Sequence, residues 1–336
     1  MWQGIYGHDA VVEQFRRALA AGRLATTYLF IGPEGVGKRS LALKLAQGLL
    51  CEASGASSID PCGECASCVL GAAGNHPDLH QVAADEGKRN LRIGKFIGDG
   101  DDRNRVGLCH DISLRPMIGR RKVAVIDDAD WLTPDAANCM LKTLEEPPPG
   151  AVMFLLGTSR GRQLPTILSR SQVVRLQPLS AEDMSQVLLT RGVVADAAVA
   201  EHLARQSDGT VTSALELADA ELCQMRNRFA AQWDANLVDA ARLVREIDEF
   251  AAAAGKEADL RRRRLRQLFR LACETFRQSL RAAADSTNAE VALAALDRTL
   301  EAEEQLDRNA NQATLVECWI DDLVGLRWQA AAGPAV

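Results

Sequence analysis

No stretch of this 336-residue chain reaches eighteen consecutive apolar residues, so no membrane-spanning helix and no membrane partner are predicted. The N-terminal MWQGIYGHDAVVEQF carries acidic residues and lacks an apolar core. That excludes a secretory signal and makes the cytoplasm the expected compartment. Positive charge is not in excess: the net charge of −6 argues against a protein that coats nucleic acid by itself. Aromatic residues are few, at 4%, and no repeat period is visible. With no secretory signal, the nine cysteines point to metal ligands or buried thiols rather than a disulfide framework.

What is present is a 47% apolar share, ample for the two or three domains that this length suggests. Alanine and leucine are abundant after residue 180, which favours helices there. Val11, Val12, Phe15 and Leu19 share one face of a helix predicted over 8–21. An apolar run, Tyr28–Ile31, then leads into GPEGVGK and an amphipathic stretch to about Leu50. That is the strand, glycine-rich loop and helix of a phosphate-binding site. Gly32, Gly35 and Gly37 let backbone N–H groups turn toward phosphate oxygens, and Lys38 adds a point charge. A chance glycine turn is disfavoured by the strand before it and the helix after it. One position departs from the pattern. The residue after the lysine should be Ser or Thr, to ligate Mg²⁺, but it is Arg39, with Ser40 one step late. A step of one residue is about 100° around a helix, so Ser40 is expected to face elsewhere.

Cys62, Cys65 and Cys68 follow in CxxCxxC spacing, with Cys51 upstream, all within residues 51–68. Four thiolates so close can enclose one tetrahedral Zn²⁺, and a closed Cys₄ set leaves no open position for catalysis, so a structural zinc is the favoured reading. An iron–sulfur cluster is the rival, and His76 could replace one ligand; four unligated thiols fit poorly in so polar a segment. HPDLHQVAA gives a short strand near 79–82, and the charged, glycine-rich residues 85–107 are expected to form a loop. VAVIDDAD is a buried strand ending in carboxylates, the place where α/β sheets put ligand chemistry. Asp127 would hold Mg²⁺. Asp128 stands where active ATPases carry a water-polarising glutamate, and is one methylene shorter. Thr133 and Pro134 open a helix that three prolines stop, AVMFLLGT is a further buried strand, and a final strand is expected near 173–176. Beyond about 221 the chain reads as helical throughout. Cys223, Cys273 and Cys318 are expected in its core and Arg261–Arg264 on a solvated face, with phosphate contact the alternative.

GPEGVGK, the CxxCxxC knot, VIDDAD, NCMLKTLEEPP and LPTILSRS occur in this order, and together they resemble the AAA+ subunits of the bacterial DNA polymerase III clamp loader, most closely the delta-prime type. The resemblance is strong to about residue 220 and returns in LDRNANQATLVE at 306–317. It implies an α/β AAA+ P-loop domain with a parallel sheet and zinc knot over 1–178, a helical lid over 179–220, and an all-α collar over 221–336 that joins a hetero-pentameric ring. The implied partners are gamma/tau ATPases, a delta subunit, the sliding clamp and primer–template DNA. The cysteines match the family's zinc module. LSRS resembles its Ser-Arg-Cys motif, which makes Arg170 an arginine finger reaching a neighbour's ATP. Thr158 falls at a polar sensor position. The lid's sensor arginine falls at Thr212 and is absent. With Arg39, Asp128 and Thr212 all departing from an active ATPase, no turnover is expected from this chain alone, while ATP/Mg²⁺ binding stays open. The rivals are a gamma/tau-type or other AAA+ ATPase, and a zinc-dependent interaction module.

Overall fold

A computed structural model describes residues 1–55, 58–85, 90–234, 239–255, 257–283 and 286–332. The described chain divides into two compact units, one up to Leu215 and one from Glu216.

The first unit begins with helix α1 (Asp9–Ala20), strand β1 (Thr27–Ile31), α2 (Lys38–Leu50), α3 (Ala66–Ala72) and β2 (Leu79–Val82). α4 (Gly94–Ile97), α5 (Leu108–Ser113), β3 (Lys122–Ile126), α6 (Pro134–Glu145) and β4 (Ala151–Gly157) follow. Next come α7 (Pro165–Leu168), β5 (Gln172–Arg175), α8 (Ala181–Thr190), α9 (Ala197–Gln206) and α10 (Val211–Ala218), within which the boundary between the units falls. The five strands are all parallel, in the order β2-β3-β4-β1-β5. This is the α/β class with a parallel sheet expected from the sequence.

Side chains alternate across a strand, and here both faces are covered. Tyr28, Phe30, Val123, Val125, Phe154 and Leu156 pack with Val12, Phe15 and Leu19 of α1 and with Leu41 and Leu45 of α2. Leu29, Ile31, Ala124, Ile126, Met153 and Leu155 pack on the opposite face with Met140 and Leu144 of α6. That double burial is why the strands read as unbroken apolar runs. α6 starts where its capping chemistry places it: the Thr133 hydroxyl accepts from Ala136 N at 3.2 Å, and Pro134 takes the first turn.

The segment expected as a loop over 85–107 is partly core. Leu91 and Phe96 are fully buried, Phe96 on α4, and Leu91 N donates to Trp131 O at 2.9 Å. The apolar spacing was too short to stand out from the charges around it. Residues 86–89 of that segment lie outside the described residues.

The second unit holds α11 (Ala220–Asp234), α12 (Ala240–Ala253), α13 (Ala258–Ala282), α14 (Ser286–Asp307) and α15 (Gln312–Ala332). Trp319 is its centre, stacked on Phe229 with ring centroids 5.4 Å apart, and its Nε1 donates to the buried Thr299 hydroxyl at 3.0 Å. Arg262 and Arg264 do not form a solvated face, each being only 13% exposed. Arg264 pairs with Asp219 and Glu221 and lies over the Phe250 ring, and Arg262 pairs with Asp259. Of the three helical cysteines only Cys273 is fully buried; Cys223 is half-buried and Cys318 is exposed, because the apolar stripe of α15 passes through Trp319 and Leu323 instead. Residues 235–238, part of the stretch expected to be helical, lie outside the described residues. No described helix is long and apolar enough to cross a membrane.

Candidate nucleotide site, arginine finger and metal centre

β1 ends at Ile31, and residues 32–37 carry the chain over the carboxyl edge of the sheet into α2. Gly37, with φ 98°, turns the backbone directly into Lys38, a conformation that other residues adopt only under strain. Gly35 is closely covered. A Cβ there would lie 2.7 Å from Thr212 N, and Val211 N donates to Gly35 O at 2.9 Å. The start of α10 therefore sits on the loop. Buried His8 donates from Nε2 to Val36 O at 2.8 Å, and Gly32 N donates to Gly157 O at 3.3 Å, fastening the loop to α1 and β4.

Lys38 Nζ donates to Gly32 O at 2.7 Å and Pro33 O at 2.8 Å. Burial lowers its pKa, against the opposing pull of Asp127, Asp130, Glu34 and Asp128. A phosphate claiming this ammonium must displace two bonds to its own loop. Arg39 points to the acidic strand end. Its Nε lies 3.7 Å from Asp127 Oδ2, and its Nη2 donates to Gln81 Oε1 at 3.3 Å. The residue standing where a metal-binding hydroxyl belongs thus delivers a cation to the carboxylate that would hold the metal. Ser40 lines a separate recess with Ile5, Tyr6, His8, Leu179 and Thr190.

Asp128 has a left-handed φ of 55°, and its Oδ2 accepts from Ala84 N at 3.3 Å. Burial, and then the neighbouring Asp127, raise its pKa above the usual carboxylate value, so it holds its proton more tightly than an ordinary base. Thr158 follows β4, and its N–H donates to Asp130 Oδ2 at 2.8 Å, while Gln163 Nε2 donates to Asp130 Oδ1. Asp130 was not among the expected residues. Its only signal in the sequence is its place three positions after Asp127 on the same strand end.

Arg170 is engaged elsewhere. Its Nε donates to Glu145 Oε1 at 2.9 Å and Nη2 donates to the same oxygen, while Nη1 donates to Thr166 O at 3.2 Å and the Ser169 hydroxyl at 3.0 Å.

The four cysteines converge as their spacing predicts. All four sulfurs lie within 4.8 Å of one another, with Cys51–Cys65 and Cys62–Cys68 each 3.8 Å apart. A tetrahedron with metal–sulfur bonds of about 2.3 Å has edges of about 3.8 Å, so the set fits a zinc-sized ion. Backbone N–H groups of Cys62, Cys65 and Cys68 donate to Cys51, Cys62 and Cys65 sulfurs at 3.5, 3.3 and 3.4 Å. Such donors favour thiolates. The set can hold a metal ion. His76 is not in it. Buried His76 accepts from Asp78 N at Nδ1 (3.0 Å) and donates from Nε2 to the Ser67 hydroxyl (3.1 Å), which donates to Glu52 (2.6 Å). Fully buried Asp78 in turn meets Lys122 Nζ at 3.1 Å and accepts from Met117 N and Ile118 N at 2.8 and 2.7 Å.

A family model described as DNA polymerase III, delta subunit matches residues 7–180, just over half of the chain. The chain belongs to that family. It is 36% identical over 194 residues to DNA polymerase III subunit delta' of Pseudomonas aeruginosa, covering 57% of this chain and 56% of that protein. It is 33% identical over 210 residues to subunit delta' of Bacillus subtilis, covering 62% and 58%. It is also 32% identical over 233 residues to subunit tau of Salmonella typhimurium, covering 68% of this chain and 34% of that protein. The matches thus span between a third and three fifths of these relatives' lengths.

Proposed function

We propose that this chain is a delta-prime-type subunit of a clamp loader. It assembles with gamma/tau ATPases and a delta subunit in a hetero-pentameric ring that opens a sliding clamp and loads it on primed DNA. Its own site does not turn over ATP, and Arg170 completes a neighbour's site in trans, stabilising charge that develops on the transferred γ-phosphate. The three-part division into a P-loop domain (1–178), a lid (179–220) and a collar (221–336), and a structural Zn²⁺ on Cys51, Cys62, Cys65 and Cys68, belong to the same reading.

The observation that carries it is the guanidinium of Arg39 beside Asp127. A positive charge there repels Mg²⁺ and occupies its carboxylate, and an active ATPase needs that ion to bridge the β- and γ-phosphates. Thr212 packed on Gly35, in place of an arginine, and Asp128, one methylene shorter than the glutamate of active ATPases, support it further. The recess beside Ser40 adjoins the loop and has apolar walls from Ile5 and Leu179, so nucleotide binding without turnover fits the reading. The gamma/tau-type alternative is favoured by the similarity to tau and by the retained Lys38 and glycines.

The test is ATP turnover by the purified chain, alone and after adding a gamma-type ATPase subunit. The expected result is none alone, and turnover in the mixture that falls about a thousandfold with Arg170→Ala while assembly persists. Turnover by the chain alone that disappears with Lys38→Ala would move the gamma/tau-type reading ahead. Mixture turnover unaffected by Arg170→Ala would remove the finger.

A further inference from the structure

Arg170 has five N–H donors, and four are already engaged within its own chain. Nε and one Nη2 hydrogen go to Glu145, and both Nη1 hydrogens go to Thr166 O and the Ser169 hydroxyl. One Nη2 N–H remains. Its side chain is 31% exposed, so the guanidinium is held at the surface rather than buried.

Glu145 is an unusual residue to find where it is. It is the last residue of α6, where the free backbone carbonyls make the helix end negative and a carboxylate is disfavoured. Lys142, three positions earlier, is the helix's one basic residue in the last turn, and the hydrogen bonds of Glu145 Oε1 come from Arg170. Pro147 stops the helix two residues later, which fixes where this carboxylate stands. α6 is also capped by Thr133, three residues after Asp130, the carboxylate that holds Thr158. One rigid helix thus runs from the nucleotide end of the sheet to the residue that grips Arg170.

We propose that Glu145 is the positioning residue of the Arg170 finger. This rests on the reading of Arg170 as a trans finger. Glu145 fixes the guanidinium plane before a neighbouring subunit arrives, so that the remaining Nη2 N–H meets a phosphate oxygen without the side chain first having to be ordered. Preorganised donors stabilise developing charge best because they need not reorient during the reaction. A flexible arginine otherwise loses rotamer freedom at each encounter.

The experiment uses the complex reconstituted from this chain, a gamma-type ATPase subunit and a delta subunit. DNA-stimulated turnover is measured for wild type, Glu145→Ala, Glu145→Gln, Arg170→Ala and the Glu145→Ala/Arg170→Ala double variant, with assembly followed by size-exclusion chromatography. Glu145→Ala should lower kcat about 10-fold to 100-fold, the range for a misplaced reacting group, with little change in KM for ATP and no loss of assembly. Glu145→Gln, which keeps one acceptor oxygen, should recover part of that loss. The double variant should be no slower than Arg170→Ala, because the two residues act as one unit. An Arg170→Ala complex with normal turnover sinks the finger reading itself. A slow Arg170→Ala complex beside a normal Glu145→Ala complex overturns only the role of Glu145. A Glu145→Ala complex faster than wild type also overturns it, since the carboxylate would then be restraining the finger.

Discussion

The cysteine knot and the phosphate loop lie in the same unit, and they are built in opposite ways. In the knot, four sulfurs point at one centre, with backbone N–H groups donating to three of them. At the loop the charged groups point at each other. Lys38 binds the carbonyls of its own loop, Arg39 lies on Asp127, and Thr212 packs on Gly35. The first arrangement gains by admitting a cation. The second already has its cation, supplied by a side chain. The same kinds of group, carboxylates and basic residues near a glycine turn, can therefore make a metal-dependent engine or a locked relic of one, and the partners decide which.

The largest effect that would break this contrast comes from the knot. Cys65→Ser should remove the bound metal, expected at about one zinc per chain by elemental analysis. Structural zinc binding is worth on the order of 10 kcal/mol in small modules, so residues 51–72 should lose protection in hydrogen exchange while the sheet keeps it. A metal-free wild-type protein with the segment protected would mean that the thiols pack without an ion. The next effect is at the buried pair beneath the knot. Lys122 is 4% exposed and Asp78 fully buried, so Asp78→Asn leaves an uncompensated buried ammonium and should cost about 3–5 kcal/mol in urea unfolding. The same pair gives a pH dependence. Burial pushes the Asp78 carboxyl up, but the Met117 and Ile118 N–H groups and Lys122 outweigh it and leave its pKa below the ordinary value. The stabilisation is then complete above the unfolded carboxylate pKa of about 3.9 and is lost as pH falls below it. Asp78→Asn should flatten that acid limb. An unchanged limb would place the acid sensitivity elsewhere.

The contrast also explains what could be seen in the sequence. The knot's ligands sit within residues 51–68, so spacing alone carries the geometry. The strands were visible because both faces of the sheet are buried, and α6 because Thr133, Pro134 and the three prolines mark its ends. Arg39 was visible as a departure from the pattern, but its contact with Asp127 was not, because nothing local says which carboxylate lies opposite. Glu145 and Arg170 are twenty-five positions apart, and Asp130 and Gln163 thirty-three. Such pairings are made by the sheet order, which the sequence does not spell out. Arg262 and Arg264 were misread for a related reason. A basic run looks solvated until the acids on neighbouring helices are known, and Asp219 precedes Arg264 by forty-five positions.

The smallest effect sharpens the comparison most, because it asks whether the loop can be turned back toward the knot's logic. Arg39→Thr removes the cation from Asp127 and restores a hydroxyl at the position where Mg²⁺ takes its ligand. Arg39 is 58% exposed, so water screens its interaction with Asp127 and the change should be modest. A fluorescent ATP analogue titrated with Mg²⁺ or with EDTA reads it directly. Wild type should bind with nearly the same affinity in both, whereas Arg39→Thr should bind several-fold more tightly with Mg²⁺, a difference of about 1 kcal/mol. Turnover should not return, because Asp128 is one methylene shorter than the glutamate of an active ATPase and Thr212 still stands in place of an arginine. Wild-type binding that already depends on Mg²⁺ would show that Asp127 can release Arg39 to take the ion, and the loop would then be a working metal site at rest rather than a locked one.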